Sequence, residues 1–356
     1  MITEILAPNI EISWLPWAVA YFFFIGISFT AVILTLPAIL FNQKKYLGVA
    51  RIAMMVMLIC AIVGPVALLA DLHQPARFWH FYTHVTPSSW MSIGAIFLPL
   101  YVSAAIFYSW LFLRPALLEN KSKAGFAGII SNTLGRGTWQ GQHLLKPVAM
   151  ITFIFGMVIA LYTGAEVAIV ATREFWNSYL IPVFFFSTAL LGASSLMLLI
   201  ATLIHEDNFT LTTLSHYNRG FALLSLAVLM LWFILALFTN GVEASSFKLL
   251  QHSAQWQLNL IFLILLSLVA VFITNVSSKL ILLSAMSGLV ISWFARWMIF
   301  IDGQTIPKYG AGFYRYDLPW GTEGLLGMLG VFGLWLFLAI VLYEFLPWKN
   351  KTESQV

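Results

Sequence analysis

The sequence predicts an all-α integral membrane protein of about nine transmembrane helices, and three observations carry that expectation. Of its 356 residues, 61% are hydrophobic and 9% are charged. A water-soluble domain carries about 25% charged residues, so the surface this chain can build must face lipid. Nine apolar stretches reach the roughly 20 residues that a helix needs to cross a bilayer. Fourteen Trp and twelve Tyr supply aromatic belts for two membrane interfaces. In that setting the net charge of +4 is not a nucleic-acid footprint. It belongs to loop cations that report orientation.

The spans are read in order as residues 14–40, 52–70, 92–113, 147–170, 180–204, 221–238, 257–275, 280–301 and 325–346. Together they form one polytopic domain over residues 1–356. The first opens on Trp14-Leu-Pro-Trp and runs uncharged to its end. The second contains Gly64-Pro65, which reads as a kink just before Asp71. The fourth carries Glu166 near its end, and the eighth carries Arg296 about one turn from its end. A short turn at Ser277, Ser278 and Lys279 separates the seventh from the eighth. The ninth opens on Gly324, Gly327, Gly330 and Gly333. That spacing suits small-residue helix packing rather than a nucleotide loop. The N-terminus carries Glu4 and no early basic residue, so a cleaved signal peptide is not expected.

Orientation follows from the cations. Twelve fall on one side: Lys44, Lys45, Arg51, Arg114, Lys121, Lys123, Arg136, Lys146, Arg219, Lys279, Lys349 and Lys351. Five fall on the other: Arg77, Arg173, Lys248, Lys308 and Arg315. The N-terminus is therefore expected outside and the C-terminus inside. Segment 114–146 becomes the longest inner loop, and 71–91 and 302–324 the long outer ones. Those two outer loops mix aromatics, prolines and charges, which suits ordered structure at the interface. Arg77-Phe-Trp-His-Phe-Tyr and Arg173-Glu-Phe-Trp-Asn-Ser-Tyr echo each other, through duplicated helix pairs or through chance likeness of aromatic loops.

Ionisable groups at membrane depth are functional candidates by default, because burying them unpaired costs several kcal/mol. Asp71, Glu166 and Arg296 all lie at the outer level, with His73, Arg77, His80, His84, Trp17, Tyr21 and Tyr162 around them. Trp14, Trp17 and Tyr21 share a helical face by spacing, as do Tyr162 and Glu166. A pocket among them would combine acids, bases and flat aromatic walls. A quinone headgroup needs that combination: hydrogen bonds to two oxygens and groups that take two protons on oxidation. Each residue also has an ordinary reading. Trp14 and Trp17 suit an aromatic belt, Arg296 can snorkel, and Asp71 with Arg77 can brace a loop. The seven histidines lie at span ends or in loops, away from the depth of axial haem ligands. With Cys60 as the one cysteine, the chain is expected to hold no haem, no iron–sulfur cluster and no metal.

Several segments resemble a known family. Asp71-Leu-His-Gln-Pro-Ala-Arg-Phe-Trp-His, then Ser89-Trp-Met-Ser-Ile-Gly-Ala, resembles the signature of the NrfD/PsrC family. Leu161-Tyr-Thr-Gly, Phe175-Trp, Ile181-Pro and Arg296-Trp-Met-Ile-Phe-Ile-Asp-Gly-Gln are similar to later segments of that family. Ile12-Ser-Trp-Leu-Pro-Trp-Ala-Val, Tyr21-Phe-Phe-Phe-Ile-Gly-Ile, Gln304-Thr-Ile-Pro-Lys and Leu318-Pro-Trp-Gly-Thr-Glu-Gly resemble its tetrathionate reductase branch, as does the ninth helix.

The resemblance implies a fold of NrfD/PsrC-like helical bundles plus an extra C-terminal helix. It implies a subunit in the bacterial inner membrane that oxidises menaquinol or ubiquinol near the outer face. Electrons would pass to a ferredoxin-like subunit with four iron–sulfur clusters, then to a molybdopterin catalytic subunit. By motif, quinone contacts map to Trp17–Tyr21 and Tyr162, and the expected quinone-binding set is Trp17, Tyr21, Arg77, Tyr162, Arg296 and Gln304. Asp71, His73, His80 and Glu166 become the candidate proton acceptors, with Arg77 and Arg296 holding the carboxylates ionised. Two other classes compete. A transporter or channel predicts broken, polar helices at the midplane, and a purely structural anchor needs no acid–base cluster.

Overall fold

The structure, a computed structural model, describes residues 12–122, 125–238, 241, 244–245, 248, 250–273, 278–306, 313–314 and 316–348. Among these residues, nine helices are long and apolar enough to cross a membrane, and no strand occurs. They are α1 (Pro16–Ile39), α2 (Leu47–Asp71), α3 (Trp90–Glu119), α4 (Leu145–Ala168) and α5 (Leu180–Leu203), followed by α6 (Asn208–Phe238), α7 (Ala254–Phe272), α8 (Ser278–Trp297) and α9 (Leu325–Phe345). A π turn, Met298–Asp302, and one α turn, Gly303–Thr305, extend α8. Ser277, Lys123, Lys308, Arg315, Lys349 and Lys351 lie outside the described residues.

Most expected spans lie within a few residues of the observed helices. The sixth begins at Asn208 rather than at residue 221. Its added turns bury Thr210, Leu214, Ser215 and Asn218 on one face and expose His216 and Arg219 on the other. They are thus a protein-packed start to the helix rather than a polar loop. The helix α2 runs through Pro65 and ends at Asp71.

The core is built around α1. Every residue from Ala18 to Val32 is buried, as expected for a helix that is apolar on all sides. It packs against α2, α4, α5, α8 and α9, and links two groups of helices, α1–α4 and α5–α8. Hydrogen bonds tie the first group: Ser28 Oγ donates to Met57 O at 2.9 Å and pairs with Tyr101 Oη at 2.7 Å. The Thr35 hydroxyl pairs with Tyr108 Oη at 2.9 Å. In lipid, which competes for no hydrogen bonds, such pairs contribute about 0.6–2 kcal/mol each. The helix α9 leans on α1 and α2 and buries only Gly327 and Val331. A Cβ on Gly327 would lie 2.7 Å from the Trp17 ring. Gly330 and Gly333 have open space instead, so the glycine run is a packing stripe only at its start.

Helix direction defines two ends. The Asp71 end carries the starts of α1, α3, α5 and α9 and the ends of α2, α4 and α8. The Arg51 end carries the starts of α2, α4, α6 and α8. There Arg51 pairs with Glu206.

Candidate functional site

At the Asp71 end a cavity of about 430 Å³ opens between α1, α2, α3 and α4. Its polar wall holds Tyr21, Asp71, His73, Tyr162 and Glu166. Its flat and apolar wall includes Trp14, Phe78, Phe81, Tyr82, Met91 and Leu98. Leu69, Phe78, Tyr82 and Met91 on the rim are each at least 40% exposed. In a bilayer that rim would meet lipid.

Each polar group is placed by local structure. Asp71 ends α2, and its Oδ1 accepts the Leu15 backbone N–H at 3.1 Å. The carboxylate therefore sits at the positive end of the α1 dipole. Tyr162 and Glu166 are one turn apart on α4, and the hydroxyl lies beside the carboxylate. Gly94 on α3 makes room for that tyrosine, since a Cβ there would lie 2.2 Å from Tyr162 Cζ. Tyr21 is 1% exposed, and its hydroxyl has no hydrogen-bond partner among the described residues. A buried hydroxyl left unpaired costs about 1–3 kcal/mol, which is an unusual feature to keep in a cavity wall.

Trp14 precedes α1 and is held there by Gln304. Gln304 Oε1 accepts from Ser13 N at 2.8 Å and Trp14 N at 3.1 Å. Its Nε2 donates to Trp14 O and Phe300 O, both at 2.9 Å. The Trp14 ring then stacks on Phe300 at 5.0 Å between centroids. Gln304 thus reaches the cavity only through the Trp14 it positions.

Other expected site residues stand elsewhere. Trp17 turns to α9, where its indole N–H donates to Thr322 O at 2.8 Å. The three-residue spacing places it with Trp14 only if both are helical, and Trp14 lies outside the helix. Arg77 is exposed in the loop and makes no contact with Asp71. His80 is half-buried between Trp79 and His84, with ring centroids 3.9 and 5.2 Å away, and is not part of the cavity wall. His80 and His84 form an i, i+4 histidine pair that sequence reading missed. No third His, Cys, Asp or Glu joins them among the described residues.

Arg296 departs furthest from expectation. It is buried, and its guanidinium donates to Phe22 O, Phe185 O, Thr188 Oγ1 and both oxygens of Ser292 at 2.7–3.3 Å. All of these acceptors are neutral, so it pairs with no carboxylate of the cavity and does not hold one ionised. It clasps α1, α5 and α8 together. The two echoing loops differ as well. Trp79 is exposed, whereas Trp176 is buried and donates to Ile299 O at 2.6 Å. Arg173 beside it reaches Gly303 O and Gln304 O at 3.3 Å, and burial pulls its guanidinium below the ordinary value. The wall residues Phe78, Phe81, Tyr82, Met91 and Gly94 are not among the expected site residues, because none is an ionisable group inside an apolar run.

The sequence model of the family described as "Polysulphide reductase, NrfD" matches residues 6–308. The chain belongs to the NrfD family. Its relatives within and around that family include the C subunit of the tetrathionate reductase of Salmonella typhimurium, 33% identical over 97% of this chain and 95% of that protein. The C subunit of the selenate reductase of Mesobacillus selenatarsenatis is 22% identical over 96% of this chain and 87% of its own length. The corresponding C component of the polysulfide reductase of Wolinella succinogenes is 22% identical over 52% and 58%. The bundle of apolar helices described above is thus that of an NrfD-family integral membrane protein.

Proposed function

We propose that this NrfD-family chain is the membrane anchor and quinol-oxidising subunit of a respiratory reductase complex, and that tetrathionate reductase is the complex it serves. The similarity to the C subunit of a tetrathionate reductase across almost the whole of both chains supports the second part. The observation that carries the first is the unpartnered Tyr21 hydroxyl in the wall of an aromatic cavity that also holds two carboxylates. A headgroup oxygen would supply the partner that the described residues do not.

Menaquinol or ubiquinol supplies two electrons and two protons when oxidised. The chain's part is to bind, orient and deprotonate. The hydroxyls of Tyr21 and Tyr162 hold the headgroup oxygens, while Trp14, Phe78 and Tyr82 flank the ring. Glu166, beside Tyr162, takes the first proton. Asp71 is already committed to the α1 terminus, so it and the exposed His73 form the exit toward water. Arg77, His80 and Trp17 act outside this set, and Gln304 and Arg296 shape it from behind.

The cation bias of twelve to five supports the Asp71 end facing outward. Electrons would leave there to an extrinsic iron–sulfur subunit with four clusters and then to a molybdopterin subunit. Protons released on the side where the terminal reduction consumes them would leave the cycle electroneutral across the bacterial inner membrane. A transporter would instead bind its cargo near the bilayer midplane, whereas this cavity lies at one end.

The test is Tyr21→Phe in the assembled complex, which removes one oxygen and keeps the ring. The KM for quinol should rise about threefold to tenfold, the equivalent of one hydrogen bond of about 0.5–1.5 kcal/mol. Turnover with an artificial donor to the partner's clusters should stay unchanged. An unaltered quinol KM would contradict the assignment.

A further inference from the structure

A second cavity, of about 670 Å³, lies at the Arg51 end between the starts of α2 and α6 and the ends of α5 and α9. Lys44, Lys45 and Arg51 line it, against the carboxylates Glu206 and Asp207. Both carboxylates are already engaged. Glu206 pairs with Arg51. Asp207 accepts from Thr210 N at 3.1 Å and Thr210 Oγ1 at 2.7 Å. Burial pushes the Asp207 carboxyl up, yet those hydrogen bonds outweigh it and hold the group below its ordinary value. The Lys44 and Lys45 ammonium groups remain exposed, Lys45 lying 5.0 Å from the Tyr46 ring centroid. A 3-10 turn, Lys44–Tyr46, runs directly into α2, and the joined segment opens at the cavity with no side-chain cap and no acidic residue in its first turn, an arrangement that favours anions.

Two further features specify the ligand. Ile52, Met55 and Ile204 continue the wall into the apolar spans, so the cavity is amphipathic. Trp348, 3% exposed in the same wall, has an indole N–H with no hydrogen-bond partner among the described residues. Buried indoles usually find one.

We propose that this cavity is a structural binding site for an anionic phospholipid. Lys44, Lys45 and the α2 terminus would hold the phosphate, the Trp348 indole would donate to a headgroup or glycerol oxygen, and the acyl chains would follow Ile52 and Met55. Basic pockets between membrane helices at headgroup depth suit such lipids, each cation adding about tenfold or less to their binding. The site is remote from the quinol cavity and does not rest on that reading.

The test uses the purified complex, delipidated in detergent and followed by native mass spectrometry. The probes are phosphatidylglycerol, phosphatidylcholine and inorganic phosphate. Phosphatidylglycerol should bind at least about tenfold more tightly than phosphatidylcholine. The double variant Lys44→Gln/Lys45→Gln should remove that preference. Trp348→Phe should weaken phosphatidylglycerol about threefold while keeping the ring. Arg219→Gln, which removes an exposed cation at the same end, should change nothing. Equal binding of the two lipids would overturn the proposal. So would displacement by inorganic phosphate, which marks a soluble-anion site, or an Arg219→Gln effect as large as that of the double variant, which marks bulk charge alone.

Discussion

Replacing Glu166 by Gln should lower quinol-dependent turnover of the assembled complex by about 10²- to 10⁴-fold, the contribution of a positioned general base. The substitution preserves volume and the contact with Tyr162 but cannot accept a proton. Its position on α4 is half-buried at the cavity wall, so the helix itself is not expected to suffer. Turnover driven by an artificial donor to the partner's clusters should remain within about twofold of the parent. Asp71→Asn gives a different pattern. Asp71 caps α1 through Leu15 N, and losing that charge removes about 0.3–1 kcal/mol of dipole stabilisation together with part of the proton exit. Full quinol turnover in Glu166→Gln would place the first proton acceptor elsewhere.

The largest structural effect is expected from Arg296→Ala. Five hydrogen bonds would vanish at once from the junction of α1, α5 and α8. The Thr188 and Ser292 hydroxyls and the backbone carbonyls of Phe22, Phe185 and Ser292 would lose a charged donor. A cavity would also open beside Gly26, where an added Cβ would come within 3.1 Å of Arg296 Nη2. Each buried acceptor left without its donor costs about 1–3 kcal/mol, and the cavity adds to that. The expected outcome is a much lower yield of folded subunit and a lower thermal midpoint in detergent, with Arg296→Lys intermediate because one ammonium cannot reach all the acceptors. If Arg296 were instead a quinone ligand, its alanine variant would fold normally and show only a raised quinol KM.

These two residues show what the sequence could and could not carry. Both are ionisable groups in apolar runs, and that alone marks them equally as site candidates. Glu166 lines the cavity, whereas Arg296 is satisfied by main-chain and hydroxyl oxygens that no charge pattern reveals. Span positions were legible because lipid demands continuous apolar helices. The centrality of α1 was not, since α1 and α9 are similarly apolar on all sides while one is buried among other helices and the other is largely exposed. The exchange of Trp17 for Trp14 in the cavity wall has a local cause: α1 starts at Pro16, and Gln304, far away in sequence, fixes what precedes it. The aromatic wall from Phe78 to Met91 comes from a loop whose path depends on tertiary contacts, so its residues carry no periodic signal. Gly94 shows its role only through the Tyr162 ring that would strike a side chain there.

The central claim, that quinol binds at the Asp71 end between α1, α2, α3 and α4, is tested most directly by photolabelling. A photoreactive quinone analogue would be cross-linked to the assembled complex, and the labelled peptides of this chain would be mapped by mass spectrometry. The account predicts label on Trp14–Tyr21, on the segment from Phe78 to Leu98 and on Tyr162–Glu166, with loss of label when excess natural quinol competes. Competable label confined to α6–α9, or to the Arg51 end, would contradict it.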